Sequence, residues 1–324
     1  MTAALLYPLT ILYRAAIFIR DIYWNSRSRI SVPARVISVG GLTAGGSGKT
    51  SIVAFIASKY LSESQNAAVV ARGYRRIQKD DIIVSGESDI DWEDCGDEPL
   101  VLVRSISGLE VYVSSDKTAA ASRAAEDGHD PVIIDDGFQH RKLKRDVDIV
   151  CLDGKKPFGN GMLLPSGRLR EPAGALHRAD IIIIMDPDAA FNWRNKLPAN
   201  KPVFRARKIV TGIKSIDPEA ADFSGRRCLA FCGLGNPESF MGSLEQAGYR
   251  TIDFIRFRDH HRYNTSDVKA IFDRFEKSGG DFIVTTLKDT VKLEKIWNCG
   301  CPLYYLDIRI EMENEDGFFR LIGK

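Results

Sequence analysis

A glycine-rich run ending in Gly-Lys-Thr constrains this chain more than any other feature of its sequence. The run covers residues 40–50, follows a β-branched segment that begins at Arg35, and precedes residues 50–62, whose apolar positions recur at helical spacing. Glycines let a backbone approach an anion closely, and the free N–H groups at a helix start attract phosphate. The pattern therefore predicts a strand, a phosphate-binding loop (P-loop) and a helix.

Within this loop the side chains suggest separate roles. Lys49 can reach the β- and γ-phosphates of a nucleotide, and the Thr50 hydroxyl can bind Mg²⁺. The strict pattern has glycine six residues before the lysine, where this chain has Thr43. We predict that ATP lies against the loop residues, which are Thr43, Gly45, Gly46, Ser47, Gly48, Lys49 and Thr50.

Two aspartates follow the apolar run at 132–135 and predict a partner for the metal. Asp135 and Asp136 would lie where a strand ends, and ligands bind at the carboxyl ends of strands in open α/β sheets. Carboxylates there can hold magnesium directly or through its waters. Gln139 and His140 follow closely and could line the same cleft.

Length and periodicity predict two α/β domains. The chain has 324 residues, against about 150 per domain, and strand-like runs alternate with helical ones. This alternation favours a P-loop NTPase-like, doubly wound, mostly parallel sheet, followed by a smaller α/β domain. We place an apolar helix at 1–30, the P-loop domain at 31–208 and the second domain at 209–324, with a linker near 205–225.

Charge and cysteine usage exclude some functions. The formal net charge of +2 argues against a dedicated nucleic-acid binder. The six cysteines form no CxxC pair, so we expect reduced, mostly buried thiols. No feature predicts a protein partner.

The first 24 residues are unusually apolar. Residues 3–24 are interrupted by Pro8, Arg14, Arg20 and Asp21, so the apolar run is too short for an ordinary membrane-spanning helix. A mostly apolar helix with a narrow polar edge can lie in a bilayer interface. We predict contact with a membrane surface; packing against the body of the protein is the alternative. Because the P-loop lies elsewhere in the sequence, removing 1–24 should shift the protein toward the soluble fraction and weaken use of any acceptor at the membrane more than ATP binding.

Three further groups contain acids, bases or arginines. Asp97 and Glu98 precede an apolar helix. They are either ordinary helix-start residues, or Asp97 is a general base. His260 follows an aspartate, as in a dyad or in a surface loop. Arg168 and Arg170, which precede Glu171, either stabilise charge on a transferred phosphoryl group or make surface ion pairs.

Together these segments resemble the tetraacyldisaccharide 4'-kinase family of lipid A biosynthesis. They occur in the family's order across nearly the whole chain, whereas Leu287 replaces the acidic residue expected there. The matching segments are Val39–Thr50, Ala71–Tyr74, Gly96–Pro99, Asp135–His140, Gly167–Pro172, Phe231–Pro237, Asp259-His260 and Thr286–Asp289.

The resemblance implies transfer of the ATP γ-phosphoryl group to the 4'-hydroxyl of a glycolipid disaccharide. It also implies a peripheral or monotopic enzyme at the cytoplasmic face of a Gram-negative inner membrane, with the active site between two domains. Roles implied by the resemblance are a base at Asp97 supported by His260, and phosphate contacts at Lys49 and Arg170. The implied magnesium ligands are Thr50, Asp135, Asp136, Glu98 and Glu171, with a nucleotide or substrate contact at Tyr74.

The residues also leave two other functions open. A P-loop phosphotransferase could act on a soluble metabolite, although the apolar N-terminus argues against that. A nucleotide-driven switch or transport ATPase is the second alternative.

We expect Asp97 in the P-loop domain and His260 in the other, so that only domain closure would bring them together.

Overall fold

The computed structural model describes residues 2–74, 76–188, 196–215 and 226–323, with backbone alone at 2–5. The chain divides into two compact units. The first consists of Met1–Asp89, Leu102–Lys208 and Ile310–Lys324; the second consists of Ile90–Val101 and Ile209–Arg309.

A mostly parallel sheet forms the first unit. Its strands are β1 (Val36–Gly41), β2 (Ala68–Ala71), β3 (Ile82–Val84), β4 (Glu110–Val113), β5 (Val132–Asp135), β6 (Val147–Asp153), β7 (Ile181–Met185) and the beginning of β8 (Val203–Ser215). They lie in the order β8-β7-β6-β1-β5-β2-β4-β3, and only β3 is antiparallel to its neighbour. The helices are α1 (Thr2–Asn25), α2 (Lys49–Ser62), α5 (Lys117–Glu126), α9 (Glu315–Ile322) and the short 3-10 helix Ala173–Arg178.

A smaller parallel sheet forms the second unit. Its strands are β9 (Arg227–Cys232), β10 (Arg250–Arg256), β11 (Phe282–Thr286) and most of β12 (Leu303–Met312), in the order β10-β9-β11-β12. The helices are α3 (Trp92–Cys95), the start of α4 (Asp97–Ser105), α6 (Pro237–Gln246), α7 (Thr265–Ser278) and α8 (Leu287–Leu293). Alternate residues of β9 pack with α6 in one apolar cluster and with α7 in another, so helices cover both faces.

The predicted doubly wound, mostly parallel α/β fold is confirmed. Periodicity predicted the strands beginning near 35, 67, 132, 147 and 180 because each is a continuous apolar run. It did not predict β8: residues 203–215 contain neither a continuous apolar run nor a regular alternation, and they form a strand where we predicted the linker to begin. The rest of that linker, 216–225, lies outside the described residues.

Unit membership differs from the predicted sequence boundaries at two segments. Residues 90–101 belong to the second unit, where Trp92 lies beneath Arg262 and Lys292. Residues 310–324 belong to the first unit, where Phe318 packs against Phe55. Both segments join their unit through side chains distant in sequence.

The N-terminal segment forms one helix, α1, with two faces. Thr10 and Ile17 are buried, and Tyr13 and Arg20 are half-buried, so every third or fourth residue faces the protein. The opposite face exposes large apolar side chains, among them Tyr7, Leu9, Ile11, Leu12, Phe18, Ile19 and Ile22. None of the helices in the described ranges has the length and apolar character needed to cross a membrane.

Candidate functional site

The glycine-rich run forms a loop between β1 and α2. Gly45 has φ 108° and Gly48 has φ 76°, a backbone region that side chains other than glycine rarely adopt. A Cβ at Gly45 would lie against the guanidinium of Arg168, and one at Gly48 would lie 2.9 Å from Met185. The two glycines are therefore needed for the loop's conformation as well as for access to an anion.

Residues 163–172, which we call the strap, hold the loop in place. The Ala44 N–H donates to the Arg168 carbonyl at 2.7 Å, and the Arg170 N–H donates to the Leu42 carbonyl at 2.7 Å. The Arg168 guanidinium also donates to the Ala44 carbonyl at 2.9 Å. The strap thus adds an antiparallel partner to the loop backbone, which sequence spacing alone did not indicate.

Three predicted residues meet in one charged cluster. Lys49 Nζ lies 3.6 Å from Asp136 Oδ1, and Arg170 Nη1 lies 2.6 Å from Asp136 Oδ2. Burial by itself would raise the pKa of Asp136, but Lys49 and then Arg170 outweigh it and hold this pKa below its usual value. Asp136 is therefore a carboxylate at neutral pH, between the P-loop lysine and the strap arginine.

Asp135 is buried at the end of β5, next to β1, in register with Val39. Lys117, which sequence analysis did not single out, donates from Nζ to the carbonyls of Asp135 at 2.5 Å and Asp136 at 2.9 Å. Burial lowers the pKa of Lys117. In the sequence Lys117 is only a lysine at a helix start. Such lysines are common on exposed surfaces, so the sequence could not distinguish this buried lysine from an exposed one.

The loop and the aspartates fit a magnesium ion in their donor chemistry. Asp136 Oδ1 and Ser47 Oγ are buried oxygens without a hydrogen-bond partner, and Thr50 is half-buried at the start of α2. Among the described residues no three His, Cys, Asp or Glu side chains gather as a metal cage. Magnesium does not require one, because it usually keeps several waters and binds one or two carboxylates plus phosphates.

The two glutamates predicted as magnesium ligands have different surroundings. Glu171 is fully buried, and its two carboxylate oxygens accept from Arg20 and Arg178, each at 2.5 Å. Each of the two oxygens therefore already pairs with an arginine. Glu98 is half-buried in the second unit, whereas Thr50 belongs to the first.

Of the other residues predicted for the cleft, Gln139 and His140 make contacts within the first unit, and Tyr74 is exposed. Gln139 donates to the Gly41 carbonyl at 3.0 Å, so it supports the end of β1. His140 contacts the Thr118 hydroxyl, and burial together with the charge of Lys117 lowers the pKa of His140 to about 4. The side chain of Tyr74 is exposed, as a substrate contact would require.

A second polar cluster surrounds Asp97 in the second unit. The Asp97 carboxylate is 4% exposed, and its Oδ2 lies 2.9 Å from His260 Nδ1. The same oxygen lies 3.5 Å from Lys288 Nζ and 3.6 Å from Lys292 Nζ. Lys288 Nζ also lies 3.3 Å from His260 Nε2, so the histidine donates through Nδ1 and accepts through Nε2.

These neighbours determine the charge of Asp97. Burial alone would raise the pKa of Asp97, but the hydrogen bond from His260 and the charges of Lys288 and Lys292 lower it to about 2. The group is therefore an anion at any physiological pH. A carboxylate held this way orients a hydroxyl group strongly but is a weak base on its own.

This contact corrects the prediction that only domain closure joins Asp97 and His260. Both residues belong to the second unit and are already hydrogen bonded. The prediction was wrong because Asp97 comes 163 residues before His260 and was assigned by sequence order. The side chain of Trp92, just before Asp97, lies against residues of the second unit instead.

The loops that carry this cluster are fixed by a buried aspartate. Asp289 accepts from the Gly233 N–H at 3.1 Å and from the Tyr263 hydroxyl at 3.0 Å, and it adjoins Lys288 in sequence. The His260 N–H donates to the Gly233 carbonyl at 3.2 Å, with His260 at φ 57°. The segment Thr286–Asp289 was noted in the sequence, but the contacts of Lys288 and Lys292 with Asp97 were not predicted; α8 carries both lysines.

Comparisons with known proteins agree along the whole chain. The family model described as "Tetraacyldisaccharide-1-P 4'-kinase" matches residues 2–324. A relative named "Tetraacyldisaccharide 4'-kinase" from Syntrophus aciditrophicus is 36% identical, covering 99% of this chain and 92% of the relative. A relative of the same name from Halothermothrix orenii is 34% identical, covering 97% of this chain and 90% of the relative.

A crystal structure described as the "apo" form of LpxK from Aquifex aeolicus in complex with ATP has a TM-score of 0.82. It is 32% identical and covers 100% of this chain and 99% of its own.

Proposed function

The chain belongs to the tetraacyldisaccharide-1-P 4'-kinase family, and on that premise we propose how its residues carry out the reaction. The protein is an ATP-dependent phosphotransferase. It transfers the γ-phosphoryl group to the 4'-hydroxyl of a tetraacylated glucosamine disaccharide, the precursor of lipid A. The single observation that carries the assignment of residues is the cluster in which Lys49 and Arg170 flank Asp136 at the P-loop.

In this proposal the first unit binds the nucleotide. The loop backbone at 43–48 and the start of α2 hold the phosphates, and Lys49 neutralises the β- and γ-phosphates. Arg170 is fixed at the loop by its own backbone bond to Leu42, so its guanidinium is available to stabilise charge on the transferred group. The phosphates of ATP would compete with the Asp136 carboxylate for its contacts with Lys49 and Arg170.

Magnesium is proposed as the metal of the reaction. Thr50, Asp135 and Asp136 would hold it, and Ser47 offers a further oxygen; bound there, it would neutralise charge on the phosphate oxygens. The residues of the chain would orient the nucleotide around this position.

Asp97 is proposed to receive the proton of the 4'-hydroxyl. As the new O–P bond forms and the bond to ADP breaks, the hydroxyl proton passes to the Asp97 carboxylate. His260 holds the carboxylate in one orientation, and Lys288 fixes the histidine tautomer through Nε2. Because phosphoryl transfer passes through a loose transition state, a weak base suffices if it is well placed.

Contact with the cytoplasmic face of the inner membrane is also proposed, through the exposed apolar face of α1. Leu12 and Ile19 are 67% and 66% exposed on this face, and a row of such residues is expensive to leave in water. A lipid-linked acceptor would be met at the same surface.

A direct transfer assay tests the assignment. The full chain is incubated with γ-labelled ATP and a detergent-dispersed acylated glucosamine disaccharide 1-phosphate, and label is expected in the lipid. The same acceptor with its 4'-hydroxyl methylated should take up no label. Release of labelled phosphate without labelled lipid would contradict transfer, and equal labelling of an unacylated disaccharide would favour a soluble acceptor.

Lys49→Ala provides the matched test of the nucleotide site. The lysine side chain is partly exposed and faces the loop, so its removal should leave the fold intact. Loss of its charge at the phosphates should lower turnover by about 100-fold or more. Lys59→Ala, on an exposed face of the same helix, is the control. Near-normal turnover by folded Lys49→Ala protein would rule out the assigned loop function.

A further inference from the structure

The inner face of α1 contacts the strap that holds the phosphate loop. Thr10 Oγ1 donates to Ser166 Oγ at 2.8 Å, and the Tyr13 hydroxyl donates to the Arg170 carbonyl at 3.0 Å. About two turns further along, Arg20 pairs with the buried Glu171. Three positions spaced along one helix face therefore each reach a different residue of the strap.

Apolar packing joins the same elements. Ile17, on the inner face of α1, lies in one buried cluster with Leu42 of the phosphate loop and Leu169 of the strap. Tyr13 packs against this cluster from its edge. The contact is thus more than a set of surface hydrogen bonds, since helix, strap and loop share a core.

Arg170 lies at the junction of these contacts. Its carbonyl accepts from Tyr13, its N–H donates to Leu42, and its side chain pairs with Asp136. A shift of the strap backbone at this residue would move the guanidinium and loosen the loop together. A misplacement of about 1 Å is enough to reduce catalysis substantially.

We propose that the inner face of α1 positions the nucleotide site through the strap, with Tyr13 as the positioning residue that fixes Arg170. The helix then has two functions on opposite faces, contact with a lipid surface and support of the P-loop. The inference rests on the proposed function, because kcat is the rate of the proposed reaction. The contacts between α1, the strap and the phosphate loop do not depend on the acceptor.

Tyr13→Phe tests the proposal because it removes one hydroxyl and leaves the ring packed. Tyr112→Phe is the matched control, since it also removes one hydroxyl that donates a hydrogen bond, in this case from β4 to Asp127 and outside α1 and the strap. We expect kcat of the full chain to fall about three- to tenfold in Tyr13→Phe, the range associated with one lost hydrogen bond. Tyr112→Phe should retain the wild-type kcat.

Two readouts separate positioning from general loss of stability. In an Arg170→Ala background, Tyr13→Phe should cause no further loss of kcat, because residues that act through one another are not additive. Amide hydrogen exchange should rise in peptides covering 42–48 and 163–172 of Tyr13→Phe and stay unchanged in β6.

Unchanged kcat and exchange in Tyr13→Phe would overturn the proposal, as would a full, additive loss in the Arg170→Ala background. The exchange experiment uses the protein alone in a mild detergent, without nucleotide or acceptor. If the wild-type protein failed to phosphorylate the lipid, the proposed function would fail while the exchange result still decided the role of Tyr13.

Discussion

At the scale of single residues, the Asp97 cluster supports the clearest expectation. Asp97→Ala should lower turnover by roughly 10²- to 10⁴-fold, the effect of a lost general base, with little change in ATP affinity. His260→Ala should also lower turnover, but adding it to Asp97→Ala should cost much less than it does alone. The hydrogen bond between the two side chains gives the physical reason.

Steady-state kinetics of the two single variants and the double variant measure this coupling. His261→Ala is the control, since His261 pairs with Asp267 and not with Asp97. Fully additive losses would exclude a dyad, although the kinase assignment would stand.

Lys288 should determine the pH below which activity is lost. Burial opposes ionisation of Asp97, whereas His260, Lys288 and Lys292 hold its pKa at about 2. A depressed carboxylate pKa means that the ionised form is present above this pKa and is lost as pH falls through it. Lys288→Met removes one cation, so the pKa of Asp97 should rise and activity should fall at a higher pH than in wild type.

The pH dependence of kcat/KM from about pH 2.5, close to the wild-type pKa of Asp97, to about pH 8 measures this shift. Lys269→Met is the control, because Lys269 is 75% exposed and pairs with Asp273 on α7. An acid limb that moves to lower pH, or an equal loss at every pH, would contradict the stated role of Lys288.

Residue chemistry was the part of the site most readily predicted from sequence. Lys49, Thr50 and Asp136 lie in or beside patterns whose chemistry is local, and the structure places Lys49 and Asp136 3.6 Å apart. Lys117 and Lys288 were not predicted, because a lysine carries no signal of burial until a distant segment covers it. The geometry at Glu171 was missed for the same reason, since Arg20 lies 151 residues earlier.

At the scale of elements, α1 changes how membrane association should be tested. The expectation that removing 1–24 would weaken ATP binding less than use of the acceptor assumed that the P-loop lies elsewhere. The structure places Ile17 in the same core cluster as Leu42, so deletion would also disturb the nucleotide site. Helical periodicity identified an amphipathic segment, but it could not show what the inner face contacts.

Substitutions on the exposed face of α1 avoid this problem. Leu12→Ser with Ile19→Ser should weaken binding to phosphatidylethanolamine–phosphatidylglycerol vesicles by about tenfold or more, because each apolar side chain contributes roughly 1 kcal/mol or more when buried. ATP binding should stay unchanged. Vesicle sedimentation and nucleotide titration measure the two properties.

Ile308→Ser is the control for a general loss of surface hydrophobicity, since Ile308 is exposed on β12 in the second unit. If the double variant still sediments with vesicles as wild type does, the exposed face of α1 is not the membrane contact.

At the scale of the whole molecule, sequence order was a poor guide to unit membership. Parallel strands and crossovers could be predicted because each is a local pattern, which is why the fold class is confirmed. The chain nevertheless contributes 90–101 to the second unit and 310–324 to the first. These assignments depend on packing between residues hundreds of positions apart, and no periodicity contains that information.

The C-terminal helix α9 gives this difference a measurable consequence. Phe318 is fully buried in the first unit, with its ring 5.4 Å from Phe204 and 6.4 Å from Phe55. Phe318→Ala should cost about 3–5 kcal/mol of unfolding free energy, as for other buried phenylalanines. A ligand stabilises the unit that it binds, so ATP identifies the unfolding transition of the nucleotide unit.

Calorimetry with and without ATP should therefore show that Phe318→Ala lowers the transition that ATP raises. Leu321→Ala, at a partly exposed position of the same helix, should lower it far less. The sequence boundary at 208/209 would assign residue 318 to the other domain and so predict that the ATP-insensitive transition falls instead. That result would show that α9 stabilises the second unit, contrary to the packing of Phe318 on Phe55.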